Sequence, residues 1–556
     1  MEFATFAGSA RGAERASADG AVREQVADLL LAAGPDLPVV ARYVQGRVFP
    51  AHDSTKLDVG PALCYAAIAK AAGRNVDADD VEARVADVGD VGAVAASYDF
   101  GTQQGLGAFT PGDGGGSDPL TVAEVDDALR ELAAVEGAGS EDTRRDLLFG
   151  LFNRASDDEA RYLARLVLGE MRIGVGSGTV RDAIGAAFDV PTDRVERALQ
   201  VTNDHGEVAV VAREEGQAGL DALGLEVGRP VDAMLAQAGS VTEALDEWGA
   251  AAVEWKYDGA RVEVHHDGDD VSLFSRNMED VTDPLPEVVA FVADALDVPA
   301  ILDGEVVAVD DDGSPLPFQE VLRRFRRKHD VAKARDDVAV ELQAFDCLHA
   351  DGEDLLDAPL TERHERLRHL LGDAADGAVA DLTVSDDPGE VETIESEALA
   401  TGHEGIMLKN PESAYTPGRR GKNWLKRKPD VETLDLVVTG AEWGEGRRAN
   451  LLGTFLLSVR AGDGFETIGK VATGVTDEEL AELTHLLEPH VRSQDGTELD
   501  VEPAVVFEVG YEEIQPSPTY SSGYALRFPR FVGVRDDKGP SDADTVERVE
   551  RLADRQ

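Results

Sequence analysis

The chain has 556 residues, of which 43% are hydrophobic, so it is long enough for about three domains that each bury an apolar core. Its two cysteines exclude a disulfide framework and a four-cysteine zinc site, and the lack of an apolar run of roughly 18 residues excludes a membrane-spanning helix. The net charge of −56 disfavours nucleic acids as partners, because contacts to phosphate need lysine and arginine.

The distribution of charge changes that interpretation. Acidic residues are spread along the whole chain, and only 11 of the 53 basic residues are lysine, a composition that resembles cytosolic proteins of extreme halophiles. At about 1 M salt the Debye length is only ~3 Å, so distant charges hardly interact and an acidic surface says little about partners. Two basic segments, 323–328 and 418–428, are candidates for contacts with phosphate. The N-terminus lacks a signal sequence, and we expect a cytoplasmic, monomeric protein.

Residues 1–217 are predicted to form a helical domain without a nucleotide motif. Apolar residues recur at three- and four-residue spacing over 22–33, 122–135, 144–152 and 159–170. A further helix is predicted at 180–188, and the residues before it are rich in glycine and hydroxyl groups. Backbone N–H groups at such a helix start bind phosphate, although an ordinary helix cap has the same composition.

From about residue 228 the pattern changes to short strands that alternate with helices such as 285–295. The strands are predicted at 262–265, 271–274, 300–309, 338–345 and 405–408, which indicates a core of antiparallel sheets and helices. Beyond residue 429, strands at 434–440, 454–459, 466–472, 504–509 and 526–534, with one helix at 477–487, suit an OB-fold barrel. We therefore predict domains at 1–217, 218–429 and 430–556, with hinges near 218–230 and 428–432.

Lys256 is the candidate nucleophile, in the sequence Glu254-Trp255-Lys256-Tyr257-Asp258-Gly259-Ala260-Arg261. A free lysine has a pKa near 10.4 and is a poor nucleophile when protonated, but burial or a neighbouring cation lowers that pKa. By itself the Asp-Gly pair also fits an ordinary hairpin turn. The motif therefore needs support from the rest of the chain.

This motif resembles the nucleotidyl-lysine motif of ATP-dependent DNA ligases, RNA ligases and mRNA capping enzymes. Further segments resemble the other motifs of that superfamily and follow in the family order. They are Ser275-Arg276-Asn277, Leu302-Asp303-Gly304-Glu305, Ala344-Phe345-Asp346-Cys347-Leu348, Glu404-Gly405-Ile406-Met407-Leu408-Lys409, Arg420 with Trp424-Leu425-Lys426-Arg427-Lys428, and Arg527-Phe528-Pro529-Arg530 with Arg535-Asp536-Asp537-Lys538. Each segment alone also fits a core strand, a turn or a solvated surface, whereas the ordered series favours the superfamily.

The resemblance implies ATP as the nucleotide, Mg²⁺ as the metal ion and a role for each matched residue. Lys256 is expected to attack the α-phosphate of ATP and become covalently adenylated. The residues expected to bind the nucleotide are Glu254, Lys256, Arg261, Arg276, Glu305, Phe345 (stacked on adenine), Lys409, Arg420, Lys426 (at the α-phosphate) and Lys428. Glu305 and Glu404 are the expected metal ligands. Arg535, Asp537 and Lys538 are expected to orient the leaving pyrophosphate.

The helical N-terminal part and the Arg-Phe-Pro-Arg segment resemble ATP-dependent DNA ligases of the archaeal and eukaryotic replicative type. This resemblance implies a multidomain α and α+β fold, with a helical DNA-binding domain, an antiparallel-sheet, ATP-grasp-like nucleotidyltransferase core and a C-terminal OB-fold barrel. It also implies nicked double-stranded DNA as the substrate, in replication, repair and recombination. The expected DNA contacts are Arg172, Gly176, Ser177, Gly178 and Thr179. Gly533 departs from the family pattern, in which a basic residue is expected.

Other functions remain open at this point. An RNA ligase or a capping guanylyltransferase shares the lysine motif, and a DNA-binding scaffold on an inactive ligase fold is the non-enzymatic alternative. The four-cysteine zinc element of NAD-dependent ligases is excluded by the cysteine count. A sliding clamp is a further predicted partner, through Gln103-Gln104-Gly105-Leu106-Gly107-Ala108-Phe109, although an ordinary loop fits that segment as well.

Overall fold

The computed structural model describes residues 1–553 with gaps at 74, 101–118, 138, 311–312, 326–334, 336–337, 428–432, 445–450, 463, 473–474, 512 and 536. The chain divides into two compact units, Met1–Arg427 and Lys428–Gln556. The predicted clamp segment at 103–109, the predicted hinge at 428–432 and Lys428 lie outside the described residues. None of the described helices is long and apolar enough to cross a membrane.

The described part of the first 222 residues consists of helices and connecting loops. The α-helices are α1 Phe3–Arg15, α2 Asp19–Ala32, α3 Leu37–Tyr43, α4 Pro61–Ala72, α5 Ala78–Val88, α6 Val91–Ala95, α7 Val122–Ala133, α8 Ser140–Phe152, α9 Asp157–Val167, α10 Ser177–Phe188, α11 Thr192–Thr202, α12 His205–Glu214 and α13 Gly216–Ala222. Thr121 and Ser156 begin α7 and α9, each in a capping box with a glutamate three residues later. The apolar faces of the helices pack into one core, which confirms the predicted helical N-terminal region.

The start of α10 and the end of the helical part differ from the prediction. Helix α10 begins at Ser177 instead of residue 180, because the extended Gly176 is its N-cap and the next three residues form the first turn. Helix α13 crosses the predicted domain boundary at residue 217, and its Leu220 is buried in the core of the preceding helices. Burial of Leu220 therefore extends the helical part to residue 222.

Two five-stranded sheets form the centre of the remaining residues of the first unit. Their strands are β1 Leu235–Ala238, β2 Ala251–Trp255, β3 Ala260–His266, β4 Val271–Ser275, β5 Ala300–Val309, β6 Ala339–Ala350, β7 Glu353–Asp354, β8 Thr383–Ser385, β9 Ile406–Lys409 and β10 Arg420–Arg427. The helices between them are α14 Val241–Trp248, α15 Pro286–Ala295, α16 Phe318–Phe325, α17 Leu360–Leu371 and α18 Pro388–Ala400. One sheet has the order β1-β10-β9-β2-β8 and the other β4-β3-β5-β6-β7. This arrangement confirms the predicted sheet-rich core.

Strand β5 shows how the sequence determines this core. Apolar residues flank Asp303-Gly304-Glu305 on both sides in its sequence, as expected of a strand whose two faces are covered. Nine of its ten positions are buried, and the exception is Glu305. The least buried residue of the central strand is therefore one of the predicted site residues.

The second unit is built mainly of strands. They are β11 Thr433–Trp443, β12 Leu452–Ala461, β13 Gly464–Val471, β14 Val491–Asp495, β15 Glu498–Val501, β16 Val506–Gly510, β17 Glu513–Pro516, β18 Tyr524–Arg527 and β19 Arg530–Val534, with helices α19 Asp477–Leu487 and α20 Val546–Ala553. Strand β11 is central and pairs with β12, β15 and β16. Short 3-10 helices of the two units lie at Gly34–Asp36, Gly372–Ala375, Glu488–His490 and Pro540–Asp542.

The prediction of a single strand at 526–534 is wrong. Phe528 has a φ of 47°, in the left-handed region, and Pro529 has no N–H to give to a ladder. The segment is therefore divided into β18 and β19, which pair with β17 and β16 respectively.

Candidate active site

A cavity of about 560 Å³ in the first unit is lined by residues of both sheets. This volume is in the range of small-molecule binding sites, roughly 300–1,000 Å³. The predicted nucleotide-binding residues that line it are Glu254, Lys256, Arg261, Arg276, Glu305, Phe345, Lys409, Arg420 and Lys426. Residues predicted from motifs that are far apart in the sequence thus meet at one cavity.

Lys256 follows β2 directly and is fixed by the backbone of the segment before β9. Its N–H donates to the Gly405 carbonyl at 2.8 Å, and its own carbonyl accepts from the N–H of Glu404 at 2.9 Å. The antiparallel ladder of β2 and β9 therefore continues beyond Trp255. The Lys256 ammonium donates to the Glu404 carboxylate as an ion pair, and the two side chains are 22% and 20% exposed. The amine is thus held in place and remains accessible from the cavity.

The register of β3 and β5 places Arg261 directly opposite Glu305. Asp303 holds the Arg261 guanidinium, with Nε donating to Oδ1 at 2.9 Å and Nη2 donating to Oδ2 at 2.5 Å. Gly259 permits the close approach of the two strands, because a Cβ there would lie 2.4 Å from the Val306 carbonyl oxygen and 2.7 Å from Cγ of Glu305. The glycine of the motif is therefore needed for packing against β5 and not only for a turn.

The Glu305 carboxyl is electrostatically unusual. Burial raises its pKa to about 8, although Lys256 and Arg261 oppose the rise. The neighbouring carboxylates of Asp303 and Glu404 raise it further. The local charge therefore leaves room for an additional cation beside Glu305.

Glu305 and Glu404 are the carboxylates that could hold a metal ion at this cavity. Within the described part of the chain, no group of three or more His, Cys, Asp or Glu side chains is arranged to hold one. Mg²⁺ usually binds one or two protein carboxylates and completes its shell with water and substrate phosphates. A cation beside Glu305 would also offset the burial that raises the pKa of its carboxyl. The two glutamates fit Mg²⁺ on these grounds.

Aromatic rings and a buried ion pair form one wall of the cavity. Phe345 and Trp424 meet edge to face with ring centroids 6.1 Å apart, and Lys409 Nζ lies 4.5 Å and 4.2 Å from the two centroids. The same ammonium lies 2.5 Å from Oε1 of the buried Glu254. Burial raises the pKa of Glu254, and Lys409 opposes that rise. Among the described residues, Glu254 Oε2 and Trp424 Nε1 have no hydrogen-bond partner, so this wall carries an unused acceptor and an unused donor.

Exposed cations lie at the edge of the cavity. Arg276 directly follows β4 and Arg420 begins β10, and both side chains are exposed. Lys426 lies on β10, where it pairs with Met407 of β9. These positions suit contacts with phosphate groups.

Tyr415 and Asp303 complete a buried network around Arg261, and neither has a predicted role. The Tyr415 hydroxyl donates to Asp303 Oδ2 at 2.7 Å and accepts from Arg261 Nη2 at 3.1 Å. Arg261 Nη1 also donates to the Met234 carbonyl at 2.6 Å. Asp303 belongs to a recognised motif, whereas Tyr415 is a lone tyrosine in a loop and carries no signal in a single sequence.

Three protein families match successive segments that together make up most of the chain. The families described as DNA ligase N terminus, ATP dependent DNA ligase domain and ATP dependent DNA ligase C terminal region match residues 3–185, 233–428 and 448–538. A DNA ligase of Natronomonas pharaonis is 70% identical over 99% of this chain and 100% of its own length. A DNA ligase of Haloarcula marismortui is 68% identical over the full length of both chains. The chain belongs to the ATP-dependent DNA ligase family.

The predicted family and DNA ligase activity are thereby confirmed. The fold of this ligase is also similar to a solved structure described as Pmar-Lig_Pre, with a TM-score of 0.60, 16% identity and coverage of 96% of this chain and 99% of that chain. At that identity the similarity concerns the fold alone. The two relatives named above come from halophilic archaea, in agreement with the acid-rich composition.

In the second unit of this ligase, the residues predicted to orient pyrophosphate cluster around Asp435. Arg535 donates to Asp537 through Nε at 2.9 Å and Nη2 at 2.8 Å, and to Asp435 through Nη1 at 3.0 Å. The Lys538 ammonium donates to the other Asp435 oxygen. The hydrogen bonds from Arg535 lower the pKa of Asp537 to about 2. Gly533 lies opposite Glu508 in the ladder of β16 and β19.

The residues predicted to contact DNA surround the start of α10. Arg172, with a φ of 55°, donates to Glu170 and to the Gly89 carbonyl, and its side chain is exposed. Ser177 and Gly178 are exposed in the first turn of the helix. The Ser177 hydroxyl lies 3.1 Å from His205 Nε2, and burial lowers the pKa of His205 to about 4. This surface thus joins one exposed arginine to an accessible helix N-terminus.

Proposed function

We propose that this ligase seals nicks in double-stranded DNA with ATP through a covalent intermediate in which Lys256 carries AMP. The supporting observation is the cavity that brings the Lys256 amine, the Glu305 carboxyl and the aromatic wall together. Family membership supports the overall reaction, and the geometry of the cavity supports the assignment of each residue.

Adenine is proposed to lie on the Phe345 ring, with its amino group donating to Glu254 Oε2. This acceptor is buried and has no partner among the described residues, so a donor from the nucleotide would remove a costly unpaired group. The opposed side chains of Arg261 and Glu305 are proposed to contact the ribose side of the nucleotide, and Arg276, Arg420 and Lys426 the phosphates.

In the first step the Lys256 nitrogen attacks the α-phosphorus of ATP. A P–N bond forms, the bond from the α-phosphorus to the bridging oxygen breaks, and pyrophosphate leaves. The ammonium must first lose a proton to water in the cavity and separate from Glu404, because a protonated nitrogen has no free electron pair. The exposed fraction of the Lys256 side chain allows this exchange.

Glu305 and Glu404 are proposed to hold Mg²⁺. When bound, the ion would neutralise negative charge that develops on the α-phosphate and the leaving pyrophosphate. The cations at the cavity edge also offset negative charge on the phosphates, and they keep the phosphates in line for attack.

The two later steps use the same phosphate-binding cations. An oxygen of the 5′-phosphate at the nick attacks the α-phosphorus, the P–N bond breaks, and Lys256 regains a proton. The 3′-hydroxyl then attacks the phosphorus of the adenylated 5′-end, loses its proton, forms the phosphodiester and releases AMP. Lys426 and Arg420 are proposed to stabilise the charge in each transfer.

We infer a helical DNA-binding domain that extends to residue 222, a nucleotidyltransferase core up to 429 and an OB-type barrel from 430 to 556. The segment with Arg172, Gly176, Ser177, Gly178 and Thr179 is proposed to hold DNA phosphates, and Arg535, Asp537 and Lys538 to orient pyrophosphate. Action as a cytoplasmic monomer and binding of a sliding clamp at 103–109 stay predictions.

The adenylation of Lys256 is tested with ATP labelled at the α-phosphate, in the presence of Mg²⁺. We expect the protein to acquire a labelled adduct that is stable to base and labile to acid, and the Lys256→Ala variant to acquire none. Lys422→Ala is the matched control, because Lys422 lies on β10 and does not line the cavity. An adduct that persists in Lys256→Ala would contradict the assignment, and labelling by GTP in preference to ATP would favour a capping reaction.

A further inference from the structure

Helix α11 of the helical part contacts the core beside the nucleotide cavity. Its Val201 is 1% exposed and packs in the same apolar cluster as Phe345, Trp424 and Tyr415. Those residues include the two rings of the aromatic wall. A residue of the predicted DNA-binding part thus belongs to the same apolar cluster as the wall on which the adenine is proposed to lie.

A paired hydrogen bond fixes the C-terminal end of α11. Asn203 follows the helix with a φ of 50°, a conformation that Asn and Asp adopt more easily than most residues. With its O and N assigned so that both neighbouring groups are satisfied, the side-chain amide donates to Asp232 Oδ2 at 3.1 Å and accepts from the Asp232 backbone N–H at 3.0 Å. Asn203 is 9% exposed, so its side of the contact with Asp232 is largely shielded from water.

Asp232 connects this contact to the edge of the cavity. Its carbonyl accepts from the N–H of Gly418 at 3.0 Å, and the N–H of Leu235 donates to the Arg419 carbonyl at 2.9 Å. Leu235 is in turn the register partner of Arg420 in the pair of β1 and β10. The segments that lead into β1 and β10 therefore meet at Asp232.

A second contact of α11 reaches the same loop. Glu196 accepts from Arg419 Nε at 2.8 Å. Glu196 and Asn203 are seven residues apart, about 10 Å along the helix axis. One helix thus holds both segments that begin the pair of β1 and β10.

We propose that α11, together with Asn203, is a positioning element of the nucleotide site. Its docking fixes the start of the pair of β1 and β10, and with it Arg420 and the aromatic wall. The inference rests on the proposed function of the cavity as an ATP site. Because α11 belongs to the part proposed to bind DNA, docking couples the affinity for ATP to the position of the DNA-binding part.

The contact is tested with Asn203→Asp, Asp232→Asn and the double variant. The Asn203→Asp substitution retains the backbone conformation but places a second carboxylate against that of Asp232. The distance between the two charges is comparable with the Debye length of ~3 Å at 1 M salt, so salt does not screen their repulsion completely. We expect the Kd for ATP, measured by calorimetry in EDTA without DNA, to rise about tenfold in Asn203→Asp, within the usual range of coupling between sites. The double variant restores one donor and one acceptor, and its Kd should return to within about twofold of the unaltered protein.

Hydrogen exchange provides a second measurement that does not depend on nucleotide. Backbone amides at 232–236 and 416–420 should exchange faster in Asn203→Asp and return to their original rates in the double variant. Arg197→Gln is the control, because Arg197 lies on the same helix and pairs at 3.0 Å with Asp357, outside these segments. Its Kd for ATP and its exchange rates should match those of the unaltered protein.

Two outcomes would overturn the positioning role. One is a lower melting temperature in Asn203→Asp with an unchanged Kd for ATP, which would mean a contribution to stability alone. The other is unchanged exchange at 232–236 and 416–420. A lack of ATP binding by the unaltered protein would instead contradict the proposed function, and the exchange rates would still decide whether Asn203 holds these segments.

Discussion

Glu305 lies on an otherwise buried strand, and its carboxyl has a pKa raised to about 8, chiefly by burial. An unfolded glutamate titrates near pH 4.3. Between about pH 4.3 and pH 8 the folded protein therefore keeps a proton on Glu305 that the unfolded chain has released. By linkage this group makes the folded state less stable as the pH rises through that window. A carboxyl retained at such a cost is expected to have a function, because Gln would fill the same volume without the charge.

The Glu305→Gln variant separates stability from activity. Without Mg²⁺ we expect its melting temperature to exceed that of the unaltered protein at pH 9 and to match it at pH 4. One pKa unit corresponds to about 1.4 kcal/mol, and solvent in the cavity reduces the full shift, so a difference of about 3 °C is expected at pH 9. Calorimetry at the two pH values measures it. Equal melting temperatures at pH 9, or normal lysine adenylation in the variant, would contradict the role given to Glu305.

Single residues differ in how well the sequence predicts them. Lys256, Glu305 and Phe345 line one cavity, and the roles proposed for them, covalent catalysis, charge and stacking, each permit few residue types at a fixed spacing. Tyr415 is not predictable, because its contribution is a hydrogen bond to Asp303 across 112 positions of the chain. Nothing local in the sequence indicates a contact of that range.

At the level of elements, strand register brings the site together. The ladder of β2 and β9 sets Lys256 beside Glu404, and the ladder of β3 and β5 sets Arg261 opposite Glu305. A slip of one residue in either ladder would turn these side chains to the other face of the sheet. Gly259 stands between β2 and β3, where the chain passes from one sheet to the other.

Gly259→Ala tests the close approach at that crossing. A Cβ at 2.4 Å from the Val306 carbonyl oxygen must move backbone, so we expect a loss of about 1–3 kcal/mol in the free energy of unfolding and a fall in lysine adenylation of at least tenfold. Denaturant titration and the labelling assay measure the two effects. Gly421→Ala on β10 is the control, since nothing lies within 4 Å of a Cβ there. Equal behaviour of the two variants would show that Gly259 is not a packing position.

Two helices are predicted closely in this chain, whereas one strand pair has no prediction. The amphipathic helices at 122–135 and 477–487 agree with α7 and α19, because their periodicity and capping residues are local. The hairpin of β14 and β15 has no prediction, since its strands are short and largely polar. Its pairing with β11 depends on tertiary contacts.

The molecule as a whole carries a net charge of −56, and this charge opposes folding at low ionic strength. Its basic residues pair with acids in both units, as Arg165 does with Glu14 and Asp90, and Arg535 does with Asp435. Such pairs cannot neutralise the excess, because acidic residues number 109 against 53 basic ones. Screening by salt must therefore weaken the repulsion among the acidic residues that have no basic partner.

Stability should therefore depend strongly on salt. We expect the melting temperature to rise as KCl is increased from 0.1 M to 2 M, most steeply below about 1 M, where the Debye length is still longer than ~3 Å. At pH 5, where part of the carboxylates with pKa values near 4.3 is protonated, the rise should be smaller. Scanning calorimetry at both pH values measures this. A rise of equal size at pH 5 and pH 8 would mean that salt acts through solvation of apolar surface instead of through charge.

The sequence by itself determined the class of chemistry, the order of the motifs and the helical or extended state of most segments, because these depend on residue types and on spacings of a few positions. Only the tertiary structure decided which residues meet. The pairing of Lys256 with Glu404, the network of Tyr415, Asp303 and Arg261, and the docking of α11 beside the cavity each join residues far apart in the chain. Such contacts depend on strand register and on the packing of whole elements, which no short stretch of sequence encodes.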